Sequence, residues 1–156
     1  MRDCSYPMVE LLPHAPPMIL LDRVTGWDQG RLYAMVEIRS DNPFYVPGHG
    51  VPCHVGIEYM AQACGAYAGL EAKHAGQPVR IGFLLGTRHF SSQTPWFQLG
   101  EILTVSILEV LRESSMGVFD CRIAHDGDEV ATARLNVYQP EDAAIAATDS
   151  TQGAMP

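Results

Sequence analysis

Apolar residues follow different patterns along this chain, and each pattern predicts a different element. Residues 32–38 alternate apolar and polar side chains with period two, which is typical of a half-buried strand. Residues 18–21 form a short apolar run that we also interpret as a strand. Residues 54–75 contain no proline and are apolar almost throughout, which predicts a long helix ending before Gly76 and Pro78.

The long helix must be covered on nearly its whole circumference, because its charges are confined to Glu58, Glu71 and Lys73. Four strand-like segments with hairpin turns at ESSMG and HDGDE follow it, at residues 79–90, 100–110, 116–124 and 129–138. We therefore predict an α+β fold in which an antiparallel sheet wraps around one central helix.

The rest of the chain predicts connections and ends. Prolines restrict the first stretch to a helical turn at residues 9–12, and residues 41–52 are a loop rich in proline and glycine. The 156 residues fit one domain, which we place at residues 1–140. Residues 141–156 are small and polar, which predicts a flexible C-terminal tail.

Charge and composition exclude several function classes. The net charge is −8, and the ten basic residues are scattered singly, so the basic stripe of a nucleic-acid-binding protein is missing. No apolar run reaches the roughly 18 residues of a membrane span, and the N-terminal residues lack the pattern of a signal peptide. The four cysteines form no CxxC pair, and we interpret them as reduced thiols. Because reduced thiols are typical of the cytosol, we expect a cytoplasmic protein.

The candidate chemistry lies where the glycine- and proline-rich loop meets the long helix. His49 on the loop is a candidate base, and Glu58 lies one turn inside an apolar helix, where a carboxylate needs a partner or an environment that shifts its pKa. Free N–H groups at the start of the helix, between Cys53 and Gly56, would stabilise an oxyanion.

Two other interpretations of these residues stay open. A glutamate on a helix is more often solvent-exposed or salt-bridged than catalytic. His54 and Glu58 are four residues apart on one helical face, which also permits a metal site with His49 as the third ligand, although structural zinc sites usually use thiolates or more histidines. We therefore predict no metal.

Five motifs together resemble one family. They are ELLPHAPPMILLDRV (10–24), NPFYVPGH (42–49), IEYMAQACGAYAG (57–69), IGFLLGTRHF (81–90) and LGEILTVSI (99–107). In combination they resemble the hotdog-fold 3-hydroxyacyl-acyl-carrier-protein dehydratases of fatty-acid synthesis, and still more the branch attached to aryl-polyene pathways. The resemblance covers residues 9 to about 140.

The resemblance implies particular site residues. The family's catalytic histidine falls on His49 and its helical acid on Glu58. The residues implied to bind substrate are Cys53, whose N–H corresponds to the oxyanion donor, and His54, Gly56, Gln62, Leu85, Gly86 and Arg88. In the fatty-acid enzymes a longer segment separates histidine from acid, so His54 or His14 would be the alternative base here.

The resemblance also implies a reaction and partners. It implies dehydration of 3-hydroxyacyl thioesters on an acyl carrier protein to trans-2-enoyl thioesters, without a cofactor. It implies a homodimer, with a heterodimer as the other possibility, in which the histidine of one subunit faces the acid of the other. An acyl thioesterase and a noncatalytic acyl-binding or heterodimer partner are the alternative functions, because one fold hosts several chemistries.

Overall fold

The computed structural model describes residues 1–140, and the predicted tail at 141–156 lies outside the described residues. The long helix, α2, spans Gly56–His74 and follows a 3-10 turn at Cys53–Val55. The other elements are α1 (Met8–Leu11), β1 (Arg23–Asp28), β2 (Arg31–Glu37), β3 (Val51–Pro52), β4 (Phe83–Ser92), β5 (Trp96–Phe97), β6 (Ile102–Glu113), β7 (Met116–His125) and β8 (Asp128–Tyr138).

Six strands form one antiparallel sheet in the order β1-β2-β6-β7-β8-β4, and this sheet packs against α2. Short turns with left-handed residues at Ser114, Asp126 and Gly127 connect β6, β7 and β8, as the hairpin motifs predict. The predicted α+β arrangement and the long helix are confirmed. No helix within residues 1–140 is long and apolar enough to cross a membrane.

The coverage of α2 differs from the prediction along one stripe. Most of the helix is buried, including the bulky Tyr59, Met60, Tyr67 and Leu70. A stripe of partly or fully exposed positions remains, with members three or four residues apart: Glu58, Ala61, Gly65, Ala68, Ala72 and Ala75. At 1.5 Å per residue this stripe is about 25 Å long. Apart from this face, the helix is exposed chiefly at its two ends.

The prediction of a strand at residues 18–21 is wrong. The segment is extended, but the backbone N–H groups of Leu20 and Leu21 donate to Gln62 Oε1 of α2, at 2.9 and 3.4 Å. A side chain of the helix therefore takes the place of a neighbouring strand. The first strand of the sheet is β1, which the sequence analysis did not predict because Gly26 interrupts its apolar pattern.

The predicted loop at residues 41–52 ends in a short strand, which the sequence analysis missed. Val51 and Pro52 pair with Phe97 and Trp96 of β5. The backbone N–H of Cys53 extends this pairing by donating to the carbonyl of Pro95 at 3.0 Å. The small two-stranded sheet thereby fixes the chain at the point where it enters α2.

Candidate functional site

The open stripe of α2 forms one wall of a groove of about 930 Å³. The opposite wall comes from β4, β6, β7 and β8, with side chains that include Phe83, Leu84, Phe119 and Val137. Pro13 and His14 of the leader segment, which we define as residues 7–22, line the groove beside Glu58. This volume is in the range of sites that bind small organic ligands.

Glu58 lies at the end of the groove that the first turn of α2 forms, and a hydrogen bond from Gln62 holds its carboxyl. The amide of Gln62 donates to Glu58 Oε2 at 3.1 Å and to the carbonyl of Met18 at 2.7 Å. Gln62 is only 1% exposed, so its orientation is fixed by packing as well as by hydrogen bonds. We expected a buried carboxylate on this apolar helix. In a single chain, however, the side chain of Glu58 is 38% exposed.

An imidazole of the same chain accompanies this carboxyl. His14 Nε2 lies 3.5 Å from Glu58 Oε2, and the side chain of His14 is 34% exposed. Its other ring nitrogen, Nδ1, is buried without a hydrogen-bond partner among the described residues. His14 was predicted only as an alternative base, and the contact between the leader segment and α2 brings it to the acid.

The two other candidate histidines lie outside this groove. His49 is exposed and stacks on Trp96, with ring centroids 4.8 Å apart and an angle of 26° between the planes. His54 is exposed on the 3-10 turn before α2. Neither residue lines the groove of its own chain, as far as residues 1–140 define it. The structure therefore places Glu58 with His14 and leaves His49 facing outward.

In this conformation two of the predicted oxyanion donors, the N–H groups of Cys53 and Gly56, already have hydrogen-bond acceptors within the chain. The N–H of Cys53 is bonded to Pro95, and the N–H of Gly56 donates to the carbonyls of Cys53 and His54. The 3-10 turn and the β3–β5 pairing use these donors before the helix begins. Gln62, predicted to contact substrate, is buried beneath Glu58 instead.

On β4 the residues that line the groove are not the predicted ones. Phe83 and Leu84 face the groove, whereas Leu85, Gly86 and Arg88 do not line it. The pairing of β4 with β8 shifts register between Leu84 and Gly86, and such a bulge changes which side chains face each side of a strand. Leu85 and Arg88 are exposed instead.

Three of the other charged residues of the groove form ion pairs with one another. Arg112 contacts Glu71 at 2.6 Å and Glu109 at 2.8 Å. Partial burial lowers the pKa of Arg112, but the hydrogen bonds with both carboxylates outweigh that effect and raise the pKa above its ordinary value. Residues 1–140 contain no group of three or more histidine, cysteine, aspartate or glutamate residues that could hold a metal ion.

Comparison with protein families gives a match along most of the chain. The model of the ApeP-like family, described as ApeP dehydratase, matches residues 6–148. A solved structure, the dehydratase heterocomplex ApeI:P from Xenorhabdus doucetiae, is similar with a TM-score of 0.84 and 33% identity. The similarity covers 89% of this chain and 94% of that one.

Curated relatives carry a related name. The 3-hydroxyacyl-[acyl-carrier-protein] dehydratase FabZ of Syntrophotalea carbinolica is 28% identical over 139 residues, which are 85% of this chain and 92% of that protein. A thioesterase structure from Streptococcus pneumoniae has a TM-score of 0.60 at 13% identity, covering 76% of this chain and 84% of the other, and this likeness concerns the fold alone. Together with the helix and sheet described above, these similarities confirm the predicted hotdog fold.

Proposed function

The chain belongs to the ApeP-like dehydratase family, and from this premise we propose that it removes water from 3-hydroxyacyl thioesters carried by an acyl carrier protein. The observation that carries the proposal is the carboxyl of Glu58, which Gln62 holds at the end of the groove. The product is the trans-2-enoyl thioester. The acidic side chain and the groove thus have one common purpose, to bring a proton donor to the C3 hydroxyl.

The reaction needs both an acid and a base. The C2 proton of the thioester is weakly acidic, and hydroxide is a poor leaving group, so the C3 oxygen must be protonated as it departs. In our proposal, protonated Glu58 donates to this oxygen while the C3–O bond breaks and water leaves. A neutral imidazole accepts the C2 proton as the C2–C3 double bond forms.

We assign the role of base to His49 of a second subunit. This histidine faces outward beside Trp96, away from the groove of its own chain, so it is available to a neighbouring site. The stacking on Trp96 limits the orientations of its ring. A complete site then needs two chains, each supplying its histidine to the acid of the other.

The edge strand β4 supports assembly into a dimer. It is the last strand of the sheet, and Phe83, Leu84 and Leu85 are 51%, 42% and 55% exposed. An unpaired apolar edge of this kind favours pairing with another strand. We propose a homodimer through β4; a heterodimer with a related subunit is the other outcome, as in the assembly named for the Xenorhabdus doucetiae relative.

The groove suits an extended acyl chain. Small residues of α2 line one wall over about 25 Å, and Phe83, Leu84, Phe119 and Val137 line the other. More than half of the groove surface is therefore apolar, although the paired Glu71, Glu109 and Arg112 also line it. Burying methylene groups there would contribute about 0.8 kcal/mol each. Exposed Arg88 on β4 remains our candidate contact for an acidic carrier protein.

We also propose that the protein works in the cytoplasm. All four cysteines are free, and Cys64 and Cys121 are buried thiols. Reduced cysteines of this kind are typical of a reducing compartment.

The test is incubation of the chain with a 3-hydroxyacyl carrier protein, followed by intact mass spectrometry of the carrier. Loss of one water from the acyl group is the expected result. Loss of the whole acyl group would indicate a thioesterase, and an unchanged mass would indicate a noncatalytic partner. Because a heterodimer is an alternative outcome, the same incubation is repeated with a co-expressed related subunit, and the reaction must then depend on Glu58 of this chain.

A further inference from the structure

Glu58 must regain a proton after every turnover, and this requirement rests on the proposed function. When the carboxyl has protonated the departing hydroxyl group, it is left as a carboxylate. The C2 proton is at that moment on the base of the other subunit, from which it is released to water. The acid therefore needs a proton source of its own.

His14 is the group best placed to supply that proton. Its Nε2 is 3.5 Å from Glu58 Oε2, and both side chains line the end of the groove. The ring has a buried nitrogen, Nδ1, without a partner among the described residues, and it is 34% exposed in all. One edge of the ring is thus enclosed by protein, while Nε2 faces the acid.

The fold holds His14 at this place from both sides. Before it, Leu11 and Leu12 of the leader segment pack directly on α2 at Gly69 and Gly65, where the helix has no side chain. After it, Gln62 binds the backbone of the leader through Met18, Leu20 and Leu21. Three prolines between these two attachments, Pro13, Pro16 and Pro17, restrict the backbone further.

Gln62 links the leader segment to Glu58 through hydrogen bonds. The same amide that holds the leader donates to Glu58 Oε2, the oxygen that faces His14. Carboxyl and imidazole are therefore fixed relative to each other by one buried side chain. A structural role for His14 alone would not require its ring nitrogen to face the carboxyl group that we propose as the acid.

We propose that His14 returns the proton to Glu58 between turnovers. Protonated His14 gives the proton on Nε2 to Glu58 Oε2, which restores the carboxylic acid and leaves a neutral imidazole. The imidazole then takes a new proton from water, so no net charge accumulates over the cycle. His14 acts through Glu58 and does not contact the reacting carbons.

The other charged side chains near Glu58 and His14 have partners of their own and do not contact this pair. On α2 and β6, Glu71, Glu109 and Arg112 are paired with one another. In the leader segment, Glu10 lies 3.8 Å from Lys73. Before β4, Arg80 lines the groove and donates to the carbonyl of Pro140. Glu58 is thus the carboxylate that faces His14.

The test compares three histidine variants in the dehydration assay. H14A removes the ring and leaves space for imidazole from the buffer, whereas H14Q fills the space with an amide that cannot give a proton to a carboxylate. H125A is the matched control, because His125 is 30% exposed, lies 3.4 Å from Glu101 Oε2 and is remote from the groove. Variants are used only after circular dichroism shows that they are folded.

We expect kcat to fall roughly 100-fold in H14A and H14Q, with KM changed by less than about threefold. Added imidazole should restore kcat in H14A by at least about tenfold, should not restore it in H14Q, and should leave H125A unaffected. A kcat close to the wild-type value in either His14 variant would overturn the proposal. A loss in H14A that imidazole does not rescue would also overturn it, since that result indicates a structural role.

A second readout separates this proposal from the proposed function. In protein labelled with ¹⁵N-histidine, the Nε2 resonance of His14 should move when Glu58 is replaced by glutamine, and the resonances of His125 should not. Failure of the His14 signal to move would refute the contact even in an active enzyme. If the wild type failed to dehydrate any carrier-bound substrate, the proposed function would fail, whatever the NMR result.

Discussion

Replacing Gly69 by alanine should displace the leader segment from α2 and lower the free energy of unfolding. A Cβ atom at Gly69 would lie 2.2 Å from the carbonyl oxygen of Leu11 and 3.0 Å from its C and Cα atoms. All three are backbone atoms, so rotation of a side chain cannot relieve the contact. The leader would have to move by about 1 Å or more, which is a large shift in a packed interior.

The size of the effect follows from two opposing contributions. Overpacking of this kind costs about 1–3 kcal/mol, and we expect the upper end because the contact is with backbone. Alanine gains about 1 kcal/mol over glycine inside a helix. The variant should therefore be about 2 kcal/mol less stable than the wild type. Since the leader carries His14, we also expect a lower kcat where the variant is still folded.

Gly65→Ala is the matched control, one helical turn away. Its Cβ would meet only Leu12 Cδ2, at 3.0 Å, and this end of a flexible side chain can rotate aside. Most of the stability that alanine adds through its higher helix propensity should remain, so the free energy of unfolding should be unchanged or up to about 1 kcal/mol higher. Urea unfolding followed by circular dichroism gives both free energies. If the Gly69 variant were as stable as the Gly65 variant, the leader would not pack on the helix as described.

Three further predictions concern buried groups. Gln62→Leu should lower the free energy of unfolding, measured by urea denaturation, by about 2–4 kcal/mol, because the N–H of Leu20 and the carbonyl of Met18 lose their hydrogen-bond partner. A loss below about 1 kcal/mol would contradict these hydrogen bonds. Burial raises the pKa of Tyr59 to about 12, whereas the pKa of tyrosine in the unfolded chain is near 10. The contribution of the neutral phenol to the free energy of unfolding is therefore fully present below about pH 10 and is lost as the pH rises to about 12. Tyr59→Phe should remove that part of the alkaline loss in unfolding measurements between pH 9 and 12, and an unchanged alkaline slope would refute it. Burial also raises the pKa of the Cys64 thiol well above its ordinary value, so a thiol reagent should label Cys64 only after unfolding; rapid labelling of native protein, located by peptide mass mapping, would contradict its burial.

Much of the fold could be predicted because local patterns determine it. The helix predicted at residues 54–75 is α2 at Gly56–His74, and the strand predicted at residues 32–38 is β2 at Arg31–Glu37. The strand shows a clear period of two, and the helix is a long apolar stretch without proline that ends at stop signals, so in both cases the signal extends over the whole element. Residues 18–21 were misassigned because an extended apolar segment looks like a strand even when its hydrogen bonds go to a side chain, here Gln62.

The site could be predicted only in part, because its geometry depends on contacts distant in sequence. Glu58 is detectable as a charge on an apolar helix, and Gln62 follows it by one turn. The neighbour of the acid within the chain is His14, which is 44 residues away in sequence, and no local pattern indicates that contact. The N–H groups of Cys53 and Gly56 were predicted to be free. Strands of two residues leave no pattern in the sequence, so the pairing of β3 with β5, which the bond from Cys53 to Pro95 extends, could not be predicted.

The most direct test of the account is a single-turnover comparison of the wild-type chain with Glu58→Gln on a 3-hydroxyacyl carrier protein. Glutamine keeps the shape of the side chain and can still accept from Gln62, but it has no acidic proton to give. We predict that the wild type releases one water per acyl group and that the variant is slower by roughly 100- to 10,000-fold while remaining folded. A variant that dehydrates the carrier at a rate near that of the wild type would contradict the central role of this carboxyl.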